Sequence, residues 1–302
     1  MLPPVEQFTA LQREDAPWRA AVMAIAAQHG LRETWTRAIA GSAVVYLGAR
    51  HVLKLLPPTW VREAEVERAA LQACTGTLPV AIPRLVASGE LEGWPYLVLT
   101  RLPGNELRPI WAGLSDVHRL ELVREAAALL AALHQVPVPD THPFPDAWSF
   151  LERPPAEVVA KHERDGTDRA WTLAIGAAIR DAEPPHRETE STVLVHGDVQ
   201  PDHLLVDDDG HLCGLFDYGD VMTGPRSYDL AATACLMAVH PRGGAATFYA
   251  AYGAALDASL RGHLTVALLK QRYCALPFVL RTMPKGRRPS TLDELLELLH
   301  GG

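Results

Sequence analysis

Cysteine is scarce in this chain, and long apolar runs are missing. Only Cys74, Cys213, Cys235 and Cys274 occur among 302 residues. They are widely spaced and form no Cys-x-x-Cys, which excludes a zinc finger or a disulfide framework. They read as reduced, mostly buried thiols, as expected of a cytoplasmic protein. No apolar run is long enough to span a membrane, so no membrane partner is expected. Met1-Leu-Pro-Pro-Val-Glu6 lacks a basic stretch followed by an apolar core, so it does not read as a secretory signal. Basic charge is in deficit: 28 Lys and Arg face 36 Asp and Glu, a formal net charge of -8. That balance argues against nucleic acid as a partner and favours attraction of a cationic small molecule. Nothing repeats internally, and no segment is low in complexity.

What is present is an ordinary globular composition, 48% hydrophobic and 21% charged, long enough for one large core or two lobes. The chain is organised around Val193–Val206 and Gly214–Gly219. These read as two short apolar strands joined at Asp207-Asp-Asp-Gly210, since Asp-Gly favours tight reversals. Asp198 follows the first strand and Asp217 ends the second. Such a hairpin brings Asp198, His203 and Asp217 together. Two carboxylates and an imidazole on rigid strands can hold a divalent cation and leave one group free as a base.

Upstream, Ala16–His29 has helical apolar spacing and stops at Gly30. Thr34–Ile39, Ala43–Leu47 and His51–Leu56 read as an antiparallel meander, punctuated at Gly41-Ser42 and Gly48–Arg50. Backbone amides near Gly41, Ser42 and Ala43 could lie over phosphates, although the turn has no full Gly-x-Gly-x-x-Gly. Lys54 interrupts the apolar run Val52-Leu-Lys-Leu-Leu56. It is either a snorkelling edge residue or a partly buried cation that needs an anion. The next helix, Val61–Leu71, offers Glu63 and Glu67 on one face; Glu67 is favoured, with Glu63 the alternative. Ile82–Gly89 and Trp94–Gly104 read as two further strands, the second breaking into a linker after Thr100. From Ser115, a candidate N-cap, the chain turns helical. Ala156–Asp181 is helical with a break at Gly166. Asp229 opens a helix to about Ala238, and Thr247–Arg261, His263–Met283 and Thr291–Leu299 are helical.

The order of these parts is more specific than any one of them. His196-Gly-Asp198, a polar residue five positions after the Asp, and an apolar strand ending in Asp217-Tyr-Gly219 parallel the catalytic and metal motifs of kinases. The pattern resembles the aminoglycoside phosphotransferase and choline kinase superfamily over about residues 34–235. The resemblance implies an α+β, bilobal protein-kinase-like fold. Residues 1–102 would form an N-terminal nucleotide-binding lobe of antiparallel sheet with a helix. Residues 103–302 would form a helix-rich C-terminal lobe carrying the catalytic hairpin and the substrate site.

It further implies roles. Lys54, steadied by Glu67, would hold the phosphates of ATP or GTP. The Thr100 carbonyl and Leu102 amide would meet the base, with Leu99 behind it. Asp217 would bind Mg2+, and Asp198 would act on the attacking hydroxyl. Asp229 would order the catalytic segment, and Arg226 would assist it or touch phosphate. The family usually has Asn where this chain has His203, so either His203 substitutes as a metal ligand, or Asp202 contributes, or one metal site is weakened. The segments Ser88-Gly-Glu-Leu91, Trp94–Arg101 and Asp217–Tyr228 resemble the hygromycin B phosphotransferases more than the choline kinases. The implied activity is phosphoryl transfer to an aminoglycoside antibiotic, giving resistance, by a cytoplasmic monomer or homodimer. A metabolic small-molecule kinase and a nucleotide-binding pseudokinase are the alternatives.

Overall fold

The computed structural model describes residues 2–39, 41–272 and 274–301. Helix α1 (Ala16–Gln28) precedes a five-stranded antiparallel sheet built from β1 (Thr36–Ala38), β2 (Val44–Leu47), β3 (His51–Leu55), β4 (Leu85–Leu91) and β5 (Trp94–Thr100). Its spatial order is β1-β2-β3-β5-β4. Strand parity gives the sheet two apolar faces. Val44, Tyr46, Leu53, Leu55, Trp94, Tyr96 and Val98 pack on Trp18, Val22 and Ile25 of α1. Rings of Trp18 and Trp94 meet at 5.2 Å between centroids. On the other face, Leu97 and Leu99 join Val66, Ala70, Leu71 and Cys74 of α2 (Val61–Cys74) in the larger core. Lys54 has the parity of this second face and pairs with Val45 on β2 and Leu97 on β5.

Secondary structure changes after Thr100, from strands to helices, yet the larger core runs across that point. Beyond it come α3 (Asp116–Leu133), α4 (Pro155–Arg164), α5 (Arg169–Asp181), α6 (Ser227–Thr233), α7 (Gly244–Tyr252), α8 (Ala258–Lys270) and α9 (Leu292–Leu299). Ser115 caps α3, its hydroxyl accepting from the His118 amide, which satisfies one amide left open at a helix start. Asp168 caps α5 in the same way, and the break between α4 and α5 falls at Gly166. The helical reading of Thr247–Arg261 is corrected. Gly253, at φ 83°, ends α7, and Asp257 caps a separate α8. The run His263–Met283 is likewise interrupted after Lys270, and Tyr273 within it lies outside the described residues. The helix opened by Asp229 ends in a π-helical turn at Ala234–Ala238.

The central hairpin is also rearranged. Val193–Val206 is two strands that join two different sheets. β7 (Thr192–Val195) pairs with β10 (Met222–Pro225), whereas β8 (Leu204–Val206) pairs with β9 (Leu212–Leu215). A two-residue strand, β6 (Asn105–Glu106), flanks β8. Gly197 and Pro201 explain the split. Gly197 sits at φ 82°, a left-handed conformation that only glycine adopts freely. Pro201 opens a 3-10 turn, Pro201–His203, and has no amide to continue a ladder. Asp198 is therefore on a loop suspended between two ladders.

Candidate active site

Lys54 Nζ donates to Glu67 Oε2 and to Asp217 Oδ1, each at 2.7 Å. Its side chain is 12% exposed, and Glu67 is 2% exposed. The cation is anchored from both sides of the cleft, by a helix above and by the segment after β9 below. Burial works to strip its proton, but the charges of Asp217 and Glu67 outweigh that and raise its pKa. Glu67 is raised by burial and by the charge of Asp217, against the pull of Lys54. Burial also pushes Asp217 upward, but Lys54 and His203 reverse this and hold it well below the usual carboxylate range. Glu63, the alternative partner, makes no such contact and leaves Oε2 buried without a hydrogen bond.

Asp198 keeps 27% of its side chain open to the cleft. One carboxylate oxygen, Oδ1, accepts from Gln200 Nε2 at 2.6 Å. The other lies 3.3 Å from His203 Nδ1. Burial pushes the Asp198 carboxyl up to about 6, helped by Asp220 and Asp217 and opposed by His203 and Gln200. That value suits a general base near neutral pH. The loop carrying it is fixed from behind by Asp229, which is fully buried. Asp229 accepts from the amides of His196 at 2.8 Å and Gly197 at 2.6 Å, and its Oδ2 lies 3.1 Å from His134 Nε2. From the opposite side, Gln271 Nε2 donates to the Gly197 carbonyl at 3.0 Å.

His203 stands between the two carboxylates. Its Nε2 is 3.6 Å from Asp217 Oδ2. Burial lowers its proton affinity, but Asp198 and Asp217 outweigh burial and raise it. Asp202 points away and pairs with Arg108 at 2.8 Å, so the structure does not gather it with Asp217. Among the described residues, no three His, Cys, Asp or Glu side chains converge as a protein-only metal cage. An ion here would draw further ligands from nucleotide phosphates and water, as magnesium does in such sites. Asp217 carries an oxygen donor and His203 a nitrogen donor on the same side of the cleft, 3.6 Å apart.

At the end of β5, Thr100 to Gly104 line a cavity of about 650 Å³ together with Arg50, His51 and Arg84. Leu99 is buried behind. The strand end is tied to both neighbours: the Thr100 amide donates to the Arg84 carbonyl and the Arg101 amide to the Arg50 carbonyl. Thr100 and Leu102 are thus brought to one cavity. Ser42 is exposed in the turn before β2 and makes no side-chain hydrogen bond among the described residues. Arg226 is exposed at the start of α6.

A strand lysine, a helix glutamate, a carboxylate on a buried loop and a second carboxylate below the lysine are the parts of a phosphoryl-transfer cleft. Comparison with known proteins agrees. The model of the phosphotransferase enzyme family matches residues 35–269, well over half of the chain. The chain belongs to this family. An aminoglycoside 3'-phosphotransferase of Streptomyces fradiae is 29% identical over 160 residues, 51% of this chain and 58% of that enzyme. The match thus spans little more than half of the relative's length. Aminoglycoside 2'-phosphotransferase-IIIa in its GDP complex superposes with a TM-score of 0.66 at 20% identity, covering 93% of this chain and 96% of that one. The GDP and kanamycin complex of APH(2")-IIIa gives 0.68 at 20% identity, covering 93% and 97%. At that identity the likeness shows the bilobal kinase-like fold.

Gln200 and His134 of this phosphotransferase escaped the sequence reading. Gln200 has no periodicity or motif to mark it, only its place two residues after Asp198. His134 ends α3 and reaches Asp229 across 95 positions. His196 is fully buried against Tyr218, and burial holds its pKa down at about 4.

Proposed function

We propose that this phosphotransferase moves the γ-phosphoryl group of ATP or GTP to a hydroxyl of an aminoglycoside antibiotic, with hygromycin B the first acceptor to test. The observation that carries this is the pair of 2.7 Å contacts that place Lys54 between Glu67 and Asp217, with Asp198 on the adjoining loop. Residues 1–102 would form the nucleotide lobe and 103–302 the catalytic and acceptor lobe. Lys54 would hold phosphate oxygens, and Glu67 would keep it extended. Thr100 and Leu102 would present main-chain groups to the base, and Ser42 would close the phosphates from above. Asp217, with His203 beside it, would hold the divalent cation, expected to be Mg2+, that offsets phosphate charge.

Asp198 would accept or orient the proton of the attacking hydroxyl. Gln200 fixes one carboxylate oxygen, and the other, 3.3 Å from His203 Nδ1, would face the acceptor. Little covalent chemistry is required, because such transfer depends on positioning and charge neutralisation. The net charge of -8 favours encounter with a polycationic drug. Aminoglycoside phosphotransferases among the relatives support the acceptor class, and the GDP-bound neighbours support a purine nucleotide donor.

The test is release of ADP or GDP with Mg2+ across an aminoglycoside panel that includes hygromycin B. Release that depends on one drug and disappears in Asp198→Ala, with nucleotide binding retained, is expected. Equal turnover in Asp198→Ala would remove Asp198 from the base role. His203, in the place usual for Asn, favours a second reading as a nucleotide-binding pseudokinase. Tight nucleotide binding without turnover on drugs or on metabolic hydroxyls would select it.

A further inference from the structure

The ring of His203 is oriented by two contacts. Nδ1 lies 2.9 Å from the main-chain carbonyl oxygen of Asp198, an atom that only accepts, so Nδ1 donates its hydrogen there. Nε2 is then the ring atom that faces the cleft, 3.6 Å from Asp217 Oδ2. Asp217 Oδ1 is taken by Lys54, so Oδ2 is the carboxylate oxygen left for a cation. The backbones of the two segments are tied, since the Phe216 amide donates to the His203 carbonyl at 3.1 Å. The Phe216 ring meets the imidazole edge-on at 5.8 Å between centroids. The nitrogen and oxygen thus face one another on a braced frame.

Two ligands at right angles on one ion, with bonds of about 2.1 Å, stand about 3.0 Å apart. The observed 3.6 Å reaches that spacing with a few tenths of an ångström from each side. This is an N,O chelate, and its donor set is not the one magnesium prefers. Mg2+ takes hard oxygen ligands and gives up water reluctantly. Imidazole suits first-row transition ions, whose affinity for nitrogen exceeds that of Mg2+. A hydrogen bond to the far ring nitrogen fixes tautomer and aim, as at established metal-binding histidines.

We propose that His203 makes the cation site of this phosphotransferase select Mn2+ over Mg2+, with Nε2 of His203 and Oδ2 of Asp217 as the protein ligands. Mn2+ combines octahedral coordination and tolerance of phosphate oxygens with acceptance of one imidazole. The inference rests on the proposed role of Asp217 as a metal ligand. It is distinct from that role because it concerns which ion is held, not whether one is.

The experiment is binding of Mn2+ and of Mg2+ to the full chain with a non-hydrolysable ATP or GTP analogue. Calorimetry gives the ratio of affinities, corrected for the analogue alone. Pulsed electron paramagnetic resonance of bound Mn2+ reports nitrogen coupling. Wild type is expected to favour Mn2+ at least tenfold beyond the free analogue, with an imidazole nitrogen signal. His203→Asn is expected to lose that signal and most of the preference while Mg2+ affinity changes less than threefold. A ratio unchanged in His203→Asn, with binding still dependent on Asp217, overturns this inference alone. Metal binding indifferent to Asp217→Asn overturns the proposed metal site and this inference together.

Discussion

Lys54 and Asp217, 163 positions apart, meet at 2.7 Å. The lysine comes from the sheet that packs on α1, and the aspartate from the segment that follows β9. Glu67 holds the same ammonium at 2.7 Å from α2. One cation therefore joins three pieces of chain that are distant in sequence. Because Lys54 and Glu67 are both largely withdrawn from water, removal of one partner leaves a costly residue behind.

Glu67→Gln tests that cost. The amide keeps the size of the side chain and loses its charge, leaving Lys54 with Asp217 alone. Unfolding free energy is expected to fall by about 2 kcal/mol, and nucleotide affinity to fall with it. Glu63→Gln, on the same helix, should stay within about 0.5 kcal/mol of wild type. Urea unfolding and calorimetric titration with a nucleotide analogue measure both quantities. Equal effects of the two substitutions would take Glu67 out of the lysine's support.

The position of Asp198 predicts an acid limb in the pH–rate profile. The group must be ionised to serve as base, and burial lifts its pKa to about 6. kcat/KM on any competent acceptor should therefore be level above that value and fall about tenfold per pH unit below it. The Gln200 amide favours the charged form through its 2.6 Å bond, so Gln200→Leu should move the limb to higher pH. A profile level down to pH 5, with the protein still folded there, would contradict both expectations.

Asp229 carries a structural prediction. It is fully buried and satisfies two main-chain amides, of His196 and Gly197, besides meeting His134. In Asp229→Asn the introduced amide group confronts at least one of those donors. A loss of about 3 kcal/mol is expected, read as a lower urea midpoint, with kcat reduced more than nucleotide affinity. A loss below about 1 kcal/mol would show that the loop does not depend on this carboxylate.

Much of this arrangement was legible in the sequence because it is encoded by local parity and order. Lys54 breaks an apolar strand at one position, and α2 presents its only buried charge, Glu67, on the face that carries Ala64, Ala70, Leu71 and Cys74. The strand meander and the cap at Ser115 follow from short-range chemistry. The division of Val193–Val206 between two ladders was not legible, since the strand partners lie far along the chain. It is Gly197 in the left-handed region and the partners on β9 and β10 that decide it. Glu67 was already favoured over Glu63, but dismissing Asp202 in favour of its pairing with Arg108 and finding Gln200 and His134 required the folded contacts. No spacing rule connects His134 with Asp229 or Arg108 with Asp202.

Acid stability should depend on a residue outside the cleft. His240 is buried, and its Nδ1 accepts from Trp111 Nε1 at 2.8 Å, which requires an unprotonated nitrogen. Burial lowers its pKa to about 4, with Arg108 and Arg119 pushing it the same way. In the unfolded chain the value returns to about 6.5. Between those limits the unfolded state binds more protons than the folded one. The stabilisation from neutral His240 is therefore complete above about pH 6.5 and is lost as pH falls toward 4. Each pH unit traversed between the two values removes about 1.4 kcal/mol, so roughly 2 kcal/mol should vanish between pH 7 and 4.5. His240→Gln keeps an acceptor for Trp111 but does not titrate. Wild type should thus lose about 2 kcal/mol more than this variant over that interval, measured by urea unfolding at the two pH values. Parallel losses in the two proteins would mean that His240 takes up its proton without unfolding, with its bond from Trp111 surrendered inside the native state.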